Sequence, residues 1–140
     1  MTRVLSETET RALIAAGRVG RLGCVDDGEP YVVPINYLFE DDAIYGHSLL
    51  GRKITALRAH PRACLQVDQV ESNFRWRSAI AFGHFDEIAS ELERKQILHK
   101  LLRSFPLLTP VESVSAKEAA SPEVIVFRIR VDRVTGLAEE

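Results

Sequence analysis

Gly51, Arg52 and Lys53 stand together in this 140-residue chain, between an apolar run and a short helical pattern. A guanidinium beside an ammonium can hold an anion, the first as a two-pronged donor and the second as a compact charge. Ala43 to His47 reads as a buried strand, and Gly51 releases the backbone into a turn. Arg52 and Lys53 then fall in the first turn of a helix carrying Ile54, Leu57 and Arg58. Unpaired backbone N–H groups and the helix dipole already favour negative charge there, so the turn predicts a phosphate-monoester site. Taken alone, such a basic pair is more often a solvated corner, and its surroundings must decide.

The remaining chemistry is thinner. His47, at a strand end, is the candidate for proton relay and catalysis, although plain hydrogen bonding explains it equally well. Ser48 has no nucleophile-elbow pattern around it. The four histidines, His47, His60, His84 and His99, show no ligand-like spacing and no Cys or carboxylate cluster joins them, so no metal site is predicted. Cys24 and Cys64 lie in apolar runs and are expected to remain free thiols. Trp76, a lone aromatic on a strand, is expected in the core, and Arg75 and Arg77 on a solvated strand face.

The elements that position these residues follow from pattern and punctuation. Ser6 with Glu9 is a capping box for a helix bearing Leu13 and Ile14, with Gly17 as its stop. Val19 to Val25 and Pro30 to Phe39 are predicted strands joined by the hairpin turn Asp26-Asp27-Gly28, and Glu40-Asp41-Asp42 leads into the strand ending at His47. Pro34 cannot donate to a sheet ladder, so its strand belongs at an edge or an opening. Pro61 ends the basic helix near His60, and Arg62 to Asp68 alternates like a strand. Trp76 to Ile88 is another, with Gly83 marking a bulge or a close backbone approach. Ser90 and Glu93 form a second capping box for a helix through about Ser104 carrying Leu92, Ile97, Leu98, Leu101 and Leu102. Phe105 to Pro122 reads as irregular, and Val124 to Val134 as a strand with Ile125, Phe127, Ile129 and Val131 on one face. Six strands joined mostly by tight turns predict a mainly β fold with flanking helices, a six-stranded antiparallel split β-barrel.

Composition fits one domain over residues 1–140, with 46% hydrophobic and 27% charged residues. A formal net charge of −2 argues against nucleic acid or an anionic membrane as partner, and leaves the local basic residues to serve a small molecule. No apolar run reaches the roughly 18 residues of a membrane helix, and Met1 to Thr10 lacks the apolar core of a signal peptide, which predicts a cytoplasmic chain.

With these elements in order, the chain resembles the FMN-binding split β-barrel proteins related to pyridoxamine 5′-phosphate oxidase, particularly the branch that includes the nitroimidazole-resistance proteins. The features that carry the resemblance are the N-terminal helix, Pro30 to Tyr37, Ile44 to Ser48, Gly51-Arg52-Lys53, Leu57, His60 to Ala63, Val67-Asp68 and Arg77 to Gly83. The resemblance implies FMN as cofactor, with Val33, Pro34, Ile35, Asn36 and Tyr37 along the isoalloxazine ring and Arg52 and Lys53 on the phosphate. It further implies that Gly46, His47 and Ser48 contact the ribityl–phosphate portion, that Ser78 reaches the flavin from a neighbouring strand, and that two copies form a homodimer with each flavin at the subunit interface. The implied activity is that of a flavin-dependent oxidoreductase acting on a small planar substrate. Val131 to Glu140 lacks the arginine- and histidine-bearing segment of the main oxidase branch, so efficient pyridoxamine 5′-phosphate oxidation itself is not expected. Two alternatives stay open: a flavin-binding or redox-sensing module without turnover, and a haem-binding split barrel with His47 or His84 as axial ligand.

Overall fold

A computed structural model of the chain describes residues 1–105 and 124–140. The stretch expected to be irregular therefore lies, beyond Phe105, outside the described residues. Among the described residues eight strands form one antiparallel sheet: β1 (Thr2–Val4), β2 (Val19–Asp26), β3 (Glu29–Asn36), β4 (Leu38–Glu40), β5 (Ala43–Ser48), β6 (Arg62–Ser72), β7 (Arg75–Glu87) and β8 (Ile125–Glu139). Their order is β3-β2-β6-β7-β8-β5-β4, with β1 added to β8. Six strands were expected; the count is eight for two local reasons. Tyr37 leaves the ladder to donate its N–H to the Arg18 carbonyl at 3.2 Å, which divides the predicted Pro30 to Phe39 strand into β3 and β4. The N-terminal residues pair with the end of β8, Thr2 opposite Glu139. β3 and β4 are the two ends of the sheet, so the barrel stays split between them. Pro34 accordingly sits on an edge strand, where its missing N–H costs no ladder bond.

Both acidic turns rely on positive φ, at Asp27 (49°) and Gly28 (79°), then at Asp41 (51°) and Asp42 (60°). Such angles match the right-handed twist of the strands they join. At Gly83 the register of β7 against β8 shifts, and a Cβ there would lie 2.0 Å from the Arg130 carbonyl oxygen, so only glycine fits the bulge.

Among the described residues three helices dress the sheet: α1 (Glu7–Ala16), α2 (Arg52–Ala59) and α3 (Glu91–Ser104). α1 has its full capping box, Ser6 with Glu9, and puts Leu13 and Ile14 into the main core. It ends at Gly17 in extended backbone rather than left-handed geometry. Glycine is required there because a Cβ would stand 2.1 Å from the Tyr37 hydroxyl. At α3 only half of the expected box forms: Ser90 Oγ accepts from the Glu93 N–H, while the Glu93 carboxylate accepts from Arg128 at 3.2 Å. A charge-assisted partner outcompetes the cap. Leu92 is exposed instead of packed, and α3 covers β5 through Ile97, Leu98 and Leu101. The outer face of β3, β2, β6, β7 and the C-terminal half of β8 carries Val32, Val70 and Leu137, all exposed. Trp76 is half-buried on that face instead of in the core.

Candidate functional site

Strand β5 is buried along its whole length, and its alternation divides the residues around the basic turn. Ile44 faces the barrel core, as does Gly46, whose missing side chain is replaced by the Phe127 ring 2.7 Å from where a Cβ would stand. Ser48 shares that face, and its Oγ accepts from Lys53 Nζ at 2.7 Å while donating to the Leu49 carbonyl. His47 faces the other way, with Ala43 and Tyr45 toward α3.

α2 begins differently from its two companions. α1 and α3 start with a serine cap and two glutamates in the first turn, matching the helix dipole. α2 starts at Gly51 with no side-chain cap and no acid in its first turn, only Arg52 and Lys53. Its orphan N–H groups and the two cations of its first turn have no matching acid within that turn, which is a start an anion can satisfy. A Cβ at Gly51 would meet nothing within 4 Å, so the approach is open.

Lys53 is 4% exposed, and burial brings its pKa down to about 8, opposed only by the nearby Cys24 thiol. Arg52 is half exposed and held by two carboxylates, through Nε to Asp26 Oδ2 at 2.5 Å and Nη2 to Glu29 Oε1 at 2.8 Å, which raise its pKa. Its guanidinium also lies 4.3 Å over the Tyr31 ring. Asp26, Glu29 and Tyr31 therefore border the basic turn, although the sequence places Asp26 only in a hairpin turn and marks none of the three as a site residue. One signal pointed to them: Asp26 and Glu29 are opposite each other across the hairpin, a like-charge pair that calls for a bridging cation.

His47 is buried, and its Nε2 has no hydrogen-bond partner among the described residues. Burial pushes its pKa down, against a backbone hydrogen bond that raises it, and Lys53 adds to the lowering. At His84 both ring nitrogens have neighbours, Nδ1 with Asp132 at 2.7 Å and Nε2 with Arg62 at 3.4 Å.

The other predicted residues spread along β3 and β7. Val33 lies opposite Leu22 and packs on the core, Pro34 is exposed opposite Arg21, Ile35 is buried opposite Gly20, and Asn36 is buried opposite Val19. The Tyr37 hydroxyl donates to the Ile14 carbonyl at 2.5 Å, tying its side chain to α1, and burial raises its pKa. Ser78 sits on the helix-free outer face, where its Oγ accepts from the Gln66 amide at 3.0 Å. The structure thus brings Ser48, Lys53 and Arg52 to one turn and leaves His47 and Ser78 on other surfaces. Cys24 and Cys64 are free thiols on adjacent strands, with Cys64 opposite Gly23, so that the two side chains point to opposite faces of the sheet.

A profile of the pyridoxamine 5′-phosphate oxidase family matches residues 6–138. An uncharacterized protein of Rhizobium meliloti strain 1021 is 29% identical over 145 residues, spanning 97% of this chain and 94% of its own length. Among solved structures, a FAD-binding protein from Mesorhizobium loti is 31% identical with a TM-score of 0.83, over 100% of this chain and 99% of that one. A proposed 5-nitroimidazole antibiotic resistance protein from Bacteroides thetaiotaomicron is 26% identical with a TM-score of 0.79, over 99% and 87% of the two chains.

Proposed function

The chain belongs to the pyridoxamine 5′-phosphate oxidase family, and from that membership we propose that it binds FMN and works as a flavin-dependent oxidoreductase on a small planar substrate. The observation that carries the cofactor is the start of α2, where an uncapped helix N-terminus is followed by Arg52 and the buried Lys53 with no acid in the first turn. Those residues fit a phosphate monoester. When bound, the flavin supplies the one- and two-electron chemistry, and the protein supplies binding and orientation. Lys53 and the first N–H groups of α2 hold the phosphate, and Ser48 orients the Lys53 ammonium toward it. Arg52 already spends its guanidinium on Asp26 and Glu29, so Lys53 and the first N–H groups of α2 are the donors left at the turn, enough for one phosphate group, which favours FMN over a dinucleotide.

We further propose that the working unit is a homodimer formed through the helix-free sheet face, where Val32, Val70 and Leu137 are exposed. Calorimetric titration of the apoprotein with FMN and riboflavin tests the cofactor assignment. Loss of one charge-assisted contact costs about 1.5–3 kcal/mol, so riboflavin is expected to bind one to two decades more weakly. Equal affinities would remove the phosphate role from this turn.

A further inference from the structure

Arg52, the first residue of α2, is held from a different part of the chain than Lys53 beside it. Asp26 and Glu29 are opposite each other across the turn that joins β2 to β3, and Tyr31 follows Glu29 by two residues, so all three side chains lie on one face of that hairpin. Two carboxylates placed opposite each other repel. The Arg52 fork offsets that repulsion, donating from Nε to Asp26 Oδ2 at 2.5 Å and from Nη2 to Glu29 Oε1 at 2.8 Å, while its flat guanidinium lies 4.3 Å over the Tyr31 ring. Lys53 is instead anchored from β5, through Ser48 Oγ at 2.7 Å.

One guanidinium against two carboxylates leaves this triad with a single negative charge, equal and opposite to that of the Lys53 ammonium. Triad and lysine together carry no net charge, so a ligand is held by direct bonds, from Lys53 and from the N–H groups that open α2. A terminal phosphate monoester concentrates its charge and its free oxygens on one phosphorus atom, which suits so short a set of donors. A pyrophosphate spreads its charge over two phosphorus atoms and calls for a second cation. The second cation of the turn is Arg52, and both carboxylates engage it.

We propose that Asp26 and Glu29 are the specificity-determining residues of the basic turn: by engaging Arg52 they restrict it to a ligand that ends in one phosphate and reject one joined through a pyrophosphate, with Tyr31 positioning the guanidinium between them. This role rests on the flavin reading above. Within that reading the two carboxylates, rather than Lys53, select the form of the flavin.

Fluorescence titration of the full-length apoprotein with FMN and with FAD tests the role. The wild type is expected to bind FMN at least tenfold tighter than FAD. Replacing both carboxylates by their isosteric amides, Asp26→Asn with Glu29→Gln, releases Arg52 and is expected to narrow that preference at least tenfold, chiefly by tightening FAD. Glu29→Gln alone, at an exposed position, is expected to shift it less in the same direction, and circular dichroism confirms that each variant is folded. Adding Arg52→Gln to the pair is expected to restore the preference, because the gain needs the released guanidinium and not only the lost negative charge. Inorganic pyrophosphate, which has no adenosine to place, is expected to displace FMN from the double variant at least tenfold more effectively than from the wild type, with orthophosphate gaining less. A wild type that binds neither flavin removes the flavin reading and this role with it. FMN binding with no preference over FAD, a preference unmoved in the double variant, or a gain that persists after Arg52→Gln overturns the role alone and leaves the flavin reading standing.

Discussion

Lys53 carries its ammonium at 4% exposure, and its pKa falls from an ordinary 10.5 to about 8 because burial disfavours the charged form. Below about pH 8 the folded and unfolded chains both hold that proton, and the cost of burying the charge is fully present. Between about 8 and 10.5 the folded chain has released a proton that the unfolded chain still binds, so this residue's contribution raises stability as pH rises, by up to about 1.4 kcal/mol per unit. Lys53→Met removes this slope. Thermal unfolding of apoprotein from pH 7 to 10 is expected to show wild type gaining on the variant above pH 8, and a constant difference between them would refute the buried ammonium. A bound phosphate reverses the balance by stabilising the charged form. The same substitution is thus expected to weaken FMN by one to two decades at pH 7 without lowering apoprotein stability, and wild-type affinity is expected to fall as pH passes 8, both read by flavin titration.

At the scale of elements, α2 departs from the rules that α1 and α3 obey. Serine caps and glutamates open those two helices, while glycine and two cations open α2. Gly51 has extended backbone at φ −164° and open space in front of it, so an aspartate fits there without strain. Gly51→Asp supplies the missing cap and a charge matched to the dipole, worth about 0.5–2 kcal/mol to the apoprotein. It also occupies the N–H groups that a phosphate needs. Chemical denaturation is expected to show a more stable apoprotein, while flavin titration shows affinity reduced tenfold or more. Unchanged FMN affinity would move the phosphate away from this helix.

For the whole molecule, the uneven placement of the helices is the main fact. α1 and α2 feed Leu13, Ile14, Ile54 and Leu57 into the barrel core and α3 shields β5, which among the described residues leaves the outer face of β3, β2, β6 and β7 without a helical layer. Exposed Val32, Val70 and Leu137 on a shared face suit burial by a second copy. Light scattering at low micromolar concentration is expected to give about twice the 15.7 kDa chain mass. Val32→Glu with Leu137→Glu, both on exposed positions, is expected to yield a folded monomer, whereas a wild-type monomer that still binds FMN would defeat the interface.

Local order was legible wherever short-range chemistry dictates it. Ser6 and Glu9 sit three residues apart and cap α1, Asp27 and Gly28 accept positive φ and close a hairpin, Pro34 cannot donate and lies on an edge, and Gly83 marks a bulge. The basic turn was legible for the same reason, because Gly51, Arg52 and Lys53 are consecutive and open a helix. What the sequence left undetermined depends on pairing between distant segments. Strand parity turns His47 away from Ser48, the hairpin register brings Asp26 and Glu29 onto Arg52, and Glu93 abandons its cap because β8 delivers Arg128. The same holds for Asp132, which reaches His84 only because a bulge in the β7–β8 pairing frees it. Sequence alone settled which backbone shapes each segment can adopt, since those are decided within a few residues by sterics and hydrogen bonding. Only the closed-up sheet decided which side chains meet, because a one-residue change of register moves every side chain of a strand to its opposite face.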